Sequence, residues 1–244
     1  MSTTPYFRFR WSHVSRPHRM AVKIYNHFMR FVPFSIKYGL GKKLRNKKHP
    51  YCLIENGSVI VQIGAPRDIL SSGRSRGMYF SLFAGNHGKV VIIEPDRESV
   101  KHFELALKKH GIRNVILCQT GAWSAKNTLK FFIDDSHPAA NLTEEAAKRA
   151  YNEKRLKNFR CVEIAVDTVD RILAGHHIEH VDLISITTNG AEKEILAGMK
   201  NTIAKGLPYI ALARTGNDYA EMMASLGYDF YAHDDRGFTF KQKS

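Results

Sequence analysis

A glycine and a carboxylate, each ending a short β-branched run, are the residues whose types and spacing best suit ligand chemistry. Val59-Ile60-Val61-Gln62-Ile63 runs into Gly64-Ala65, and Lys89-Val90-Val91-Ile92-Ile93 runs into Glu94-Pro95. Small residues at a strand end let a ligand approach the backbone closely. An acid at the end of the next strand can accept two hydrogen bonds from a ribose diol. Together they predict nucleoside binding at Gly64, Ala65 and Glu94. The G-x-G-x-x-G pattern is absent, which argues against a dinucleotide and leaves a cofactor without pyrophosphate.

Other clusters carry suggestive letters without the required context. His176-His177-Ile178-Glu179-His180 spells H-x-x-E-H, but that zinc pattern needs a helix, and here it sits between Gly175 and a strand-like run. It reads as a solvated connecting loop. Ser71-Ser72-Gly73-Arg74-Ser75-Arg76-Gly77 has phosphate-friendly residues but no Walker lysine, so a lid or substrate-contacting loop and a plain surface excursion both stay open. No metal site is expected. Cys52, Cys118 and Cys161 are too far apart for a C-x-x-C clip and fit a reducing compartment.

The elements that must position these residues alternate. Strand-like runs at Val59–Ile63, Lys89–Glu94, Asn114–Cys118, Val181–Thr187 and Tyr209–Ala213 are separated by helical patterns at 77–86, 97–110, 191–204 and 219–226. Leu129–Ile133 reads as an edge strand, Thr143 starts a helical insert reaching about Leu156, and Val162–Val166 and Thr168–Leu173 add a strand and a helix. A hairpin of Asp229–Ala232 and Phe238–Phe240 closes the chain and would place one antiparallel strand in the sheet. Such alternation predicts an α/β, doubly wound, mostly parallel seven-stranded sheet with helices on both faces.

These residues resemble the FkbM-type methyltransferases. The most specific stretch, Val181 to Gly198 (VDLISITTNGAEKEILAG), is similar to the family's V-D-L-I-K-I-D-x-E-G-A-E-x-x-x-L-x-G. Gly64-Ala65, Glu94-Pro95, Gly121-Ala122 and Thr168-Val169-Asp170 are supporting matches. The resemblance implies a class I fold, S-adenosylmethionine as cofactor, and methylation of oxygen atoms. It implies that Gly64, Ala65, Glu94 and the Gln119–Ala122 turn (Gln119, Gly121, Ala122) hold the cofactor, with Trp123 a stacking partner for adenine. The departures are equally specific. The family's first-strand acid is Gln62, and its Lys, Asp and Glu near the methyl-transfer position are Ser185, Thr187 and Asn189. Thr187 and Asn189 would then orient an acceptor by hydrogen bonding, with Glu192 the nearest surviving carboxylate, and positioning would supply much of the rate.

Charge divides the chain. Hydrophobic residues at 43% and charged ones at 25% suit an ordinary globular protein, but the net charge is +14. Residues 1–50 hold twelve of the 37 Lys/Arg and no acid, leaving 25 bases against 23 acids beyond. The expected organisation is a basic aromatic arm, 1–50, and a methyltransferase-like domain, 51–244. Within the arm a helix is expected from about Arg19 to Phe31, interrupted by Pro33, with Lys42–Lys48 a solvated linker. The arm suits a solvated tail, an anionic membrane surface or RNA. No signal-like opening or run of ~20 apolar residues is present. A cytoplasmic protein is expected, with peripheral membrane attachment left open. Three functions follow: O-methylation of a sugar, lipid-linked or other small hydroxylated acceptor; a catalytically weakened binding or scaffold module; and RNA methylation steered by the arm, disfavoured by the near-neutral domain.

Overall fold

The computed structural model describes residues 24, 27–29, 31–135, 137–152, 156–213 and 217–243. In chain order, α1 (Phe34–Arg45) precedes β1 (Val59–Ile63), α2 (Arg67–Ser71), α3 (Arg76–Ala84), β2 (Lys89–Ile93), α4 (Arg97–Lys109) and β3 (Val115–Cys118). An insert follows, made of β4 (Gly121–Ala122), β5 (Asn127–Ile133), β6 (Leu142–Thr143), α5 (Glu144–Ala150) and β7 (Arg160–Asp167). The chain then returns through α6 (Val169–Gly175), β8 (Leu183–Ile186), α7 (Glu192–Ala197), α8 (Lys200–Gly206), β9 (Tyr209–Leu212), α9 (Asn217–Ser225), β10 (Tyr228–His233) and β11 (Phe238–Gln242).

The main sheet has seven strands in the order β10-β11-β9-β8-β1-β2-β3, with β11 antiparallel to both its neighbours and the other pairings parallel. Strand order reverses between β1 and β8, so a crevice opens at their carboxyl ends. The central strands are buried on both faces, which is why they read as continuous apolar runs. Alternate β1 side chains serve opposite layers. Val61 and Ile63 pack with Ile172, Leu196 and Met223, whereas Ile60 packs with Phe80, Phe103 and Tyr38.

Several expectations are corrected. The runs at 129–133 and 162–166 belong to a separate four-stranded sheet, β4-β7-β5-β6, rather than to the main one. Helix 191–204 is two helices, Glu192–Ala197 and Lys200–Gly206, separated at Gly198, which lies so close to the Trp123 carbonyl that a Cβ there would clash. The insert's first helix does start at its Thr143 cap, whose hydroxyl accepts from the Ala146 amide, and ends at Ala150; residues 153–155 lie outside the described residues, and Leu156 is again helical. Lys42, Lys43 and Arg45 stand in the last turn of α1 rather than in a linker. Pro33 precedes that helix, a position where proline loses no helical hydrogen bond. Most of the expected helix at 19–31 lies outside the described residues.

The Gly/Ser/Arg loop is neither lid nor surface excursion. Ser75 caps α3 by accepting from the Met78 amide, and Arg76 is buried. All three cysteines are free, Cys118 buried and Cys52 and Cys161 exposed.

Candidate cofactor cleft

The end of β1 turns on Gly64, which has φ of +83°. A Cβ there would meet the Thr187 carbonyl oxygen at 2.6 Å, so only glycine fits both the backbone angle and the space. The Thr187 hydroxyl accepts from Gln62 Nε2 at 2.8 Å and donates toward the carbonyls of Gly64 and Ile63. Thr187 therefore locks the bend from the neighbouring strand.

Beside the bend, Glu94 Oε2 accepts from the Ala65 amide at 2.6 Å, and Oε1 accepts from the Asp96 amide at 2.9 Å. This carboxylate is 5% exposed. Burial pushes its pKa up to about 7, against the opposing pull of those two amides. Each carboxylate oxygen keeps a lone pair for another donor. Asp96 caps α4 by accepting from the amides of Glu98 and Ser99, so the segment after β2 is fixed as well.

A cleft partly open to solvent runs from Gly64 and Glu94 to Gly121 and Ala122. The insert supplies an apolar wall including Leu129, Phe131, Ile164 and Val166. Trp123, Thr187 and Asn189 also line the cleft. Ala65 lies at the bend through its bond to Glu94, whereas Gln119 faces a neighbouring depression with Arg160 and Glu163. Among the cofactor candidates, Gly64, Ala65, Glu94, Gly121 and Ala122 are thus brought together and Gln119 is not.

The insert is tied down over the cleft. Asn189 Nδ2 donates to the carbonyls of Ala139 at 2.8 Å and Asn141 at 3.0 Å. Arg67 donates to the Asp135 carbonyl at 3.1 Å and pairs with Asp96 at 3.4 Å. His137 Nδ1 lies 3.0 Å from Asp68 Oδ2, and the Asp68 carboxylate raises the His137 pKa. Composition gave no sign of these ties, since each partner lies far away in sequence.

Glu192 does not reach the cleft. It is fully buried and accepts from the Thr188 hydroxyl, the Gly190 amide and the Tyr219 hydroxyl. Asp182 accepts from the Val59 amide at 2.7 Å and braces β1, while Asp170 accepts from the amides of Asn201 and Thr202 in the first turn of α8. The histidine-rich segment joins α6 to β8 as the loop its context implied.

Nothing in this geometry opposes an adenosyl group. A glycine bend without side chain, a buried carboxylate with free lone pairs, and small or apolar walls match its backbone approach, its ribose diol and its adenine.

Residues 62–240 match the family model described as the methyltransferase FkbM domain. The chain is similar to the crystal structure of an FkbM methyltransferase from Methylobacillus flagellatus KT, at 15% identity and a TM-score of 0.50. That match covers 92% of this chain and 58% of that one, so this chain spans little more than half its length. A S-adenosylmethionine-dependent methyltransferase from Aquifex aeolicus shares 14% identity over 88% of this chain and 95% of its own, at a TM-score of 0.43. Fibrillarin from Aeropyrum pernix, solved with bound S-adenosylmethionine, shares 13% over 84% and 74%, at a TM-score of 0.44. No curated protein matches the chain. At 15% identity the first likeness is one of fold.

Proposed function

The chain belongs to the FkbM methyltransferase family, and from that premise we propose that it binds S-adenosylmethionine and methylates an oxygen of a sugar, lipid-linked or other small hydroxylated acceptor. The observation that carries the reading is Glu94, buried at the end of β2 and hydrogen-bonded to the amide beside the Gly64 bend. The free lone pairs of Glu94 would accept from the ribose hydroxyls, Gly64 and Ala65 would admit the cofactor against backbone, and Gly121 and Ala122 would flank the adenine. When bound, the cofactor supplies an electrophilic methyl group on a sulfonium.

The chain's own share of the chemistry is positioning. Thr187 and Asn189 line the cleft with hydroxyl and amide groups, which can orient an acceptor but do not act as bases near neutral pH, whereas Ser185 is fully buried outside it. Thr187 holds the bend and Asn189 holds the insert, so both act on the reaction through the shape of the cleft. Glu192 braces the start of α7 from below. An apolar, pre-shaped cleft favours an in-line approach, and holding two reactants in line can contribute several kcal/mol, up to ~7–11 in the best cases.

One observation favours a second reading. The side chains replacing the family's ionisable ones are already engaged within the protein, Ser185 with Arg76, Thr187 with Gln62, and Asn189 with the insert. A scaffold that binds the cofactor without turning it over is consistent with that arrangement. Labelled methyl transfer to a panel of sugars, polyols and lipid-linked hydroxyls, with a chelator present, separates the readings. Transfer to any of them supports the enzyme. Cofactor binding with no transfer across the panel moves the assignment to the scaffold, and absence of cofactor binding defeats both.

A further inference from the structure

Helix α1 lies outside the family-matched region and has two unlike faces. The inner face is fully committed. Tyr38 is 1% exposed and its hydroxyl donates to the Leu70 carbonyl at 2.8 Å. Gly41 sits so close to Tyr79 that a Cβ would lie 1.9 Å from the phenol oxygen. Even cations are used structurally here, for Lys37 Nζ donates to the Ser71 carbonyl and Arg45 stacks 4.3 Å from the Tyr79 ring centroid.

The outer face carries Ile36, Leu40 and Leu44, one per turn, at 57%, 57% and 61% exposure. Phe31, Phe28 and Ile24, just before the helix, are also exposed. Of ten large exposed apolar side chains among the described residues, six fall between 24 and 44, so the apolar surface is concentrated here. Exposed Lys43, Lys47 and Lys48 rim this stripe, and the chain has no Asp or Glu before Glu55.

We infer that α1 docks the protein on an anionic lipid bilayer, with Ile36, Leu40 and Leu44 entering the boundary between headgroups and acyl chains and the lysines meeting lipid phosphates. A helix anchored on one side with an apolar stripe and a cationic rim on the other has the pattern of an interfacial helix. Anionic lipid complements the charge and covers the stripe at once. A second copy would bring an identical cationic rim against this one in a two-fold contact. RNA would meet the charge, but bases stack on rings and would leave three aliphatic side chains uncovered. No helix among the described residues is long and apolar enough to cross a membrane, and this docking requires none. The inference is independent of the catalytic reading.

The test is vesicle co-sedimentation of the full chain, comparing phosphatidylcholine alone with phosphatidylcholine carrying 30 mol% phosphatidylserine. The expected result is at least tenfold tighter binding to the anionic vesicles, weakened by salt, and a loss of at least tenfold in the double variant Leu40→Ser/Leu44→Ser. Should that variant fail to fold, Lys43→Glu/Lys47→Glu carries the same expectation through the charge. Unchanged vesicle binding in folded variants would overturn the inference. So would a lipid-free dimer that the substitutions dissolve, or RNA binding that they abolish while vesicles are not bound.

Discussion

Arg76 donates to the hydroxyl of Ser185 at 3.1 Å, from α3 onto the strand position where the resembled family carries lysine. Burial opposes the charge on Arg76, but Asp235 and Asp234 more than offset it and hold its pKa above the ordinary range. Its Nη2 lies 2.6 Å from Asp234, and Tyr51 donates to Asp235 at 2.9 Å. Gln62, in place of the family acid, pairs in register with Ser185. The two family charges on neighbouring strands are thus both neutral here, and the cation enters from the helix.

Returning Ser185 to lysine should therefore harm the fold. A second cation beside a buried guanidinium faces repulsion in a low-dielectric site. The expected loss is about 2–4 kcal/mol, in the range of buried-charge defects, read from denaturant unfolding. Ser185→Ala should cost about 1.5–3 kcal/mol, for one hydrogen bond from a charged donor. A stabilised Ser185→Lys protein would contradict this account of the Arg76 network.

Removing Arg76 should be worse. Arg76→Met leaves Asp234, with a fully buried side chain, without its ion pair, and Asp235 with only the charge of Arg236 nearby. Breaking one partner from a buried pair costs about 3–5 kcal/mol. Unfolding by denaturant measures it, and a change below about 1 kcal/mol would show that the network is not structural.

Asn189→Ala should free the insert, because two carbonyls lose their donor. Hydrogen exchange around residues 137–143 should quicken severalfold while the main sheet keeps its protection. Equal exchange in wild type and variant would mean that the other ties suffice to hold the segment.

Glu94 gives a pH dependence with a defined sign. Its folded pKa of about 7 stands above the ordinary value of 4.5, so the folded protein holds a proton that the unfolded chain has lost between those values. This contribution to stability is full below about 4.5 and is lost as pH rises toward about 7. Glu94→Gln should flatten that part of a stability-versus-pH curve. Ribose hydroxyls donating to the ionised carboxylate act the other way, so cofactor affinity should rise through pH 7 with proton release on binding. Calorimetry in buffers of different ionisation enthalpy reads that release, and proton uptake would contradict the assignment.

The main sheet was legible because strands buried on both faces must be apolar throughout and stop at Gly64, Pro95 and similar breakers. The second sheet was not, because β4 and β6 are two residues each and acquire strand character only by pairing with β7 and β5. Glycines at 39 and 41 obscured α1, although Gly41 is there to admit Tyr79. Gly64 and Glu94 could be read from local pattern, whereas the tasks of Thr187 and Asn189 depend on carbonyls about 123 and 50 residues away.

Titration calorimetry of the full chain with S-adenosylmethionine, comparing wild type with Glu94→Gln, tests the central claim most directly. The account predicts one site per chain in the wild type. In a variant that melts cooperatively, affinity should be lower by about tenfold to a hundredfold, the equivalent of ~1.5–3 kcal/mol for charged hydrogen bonds. Equal affinity in the folded variant, or no binding by the wild type, would contradict it.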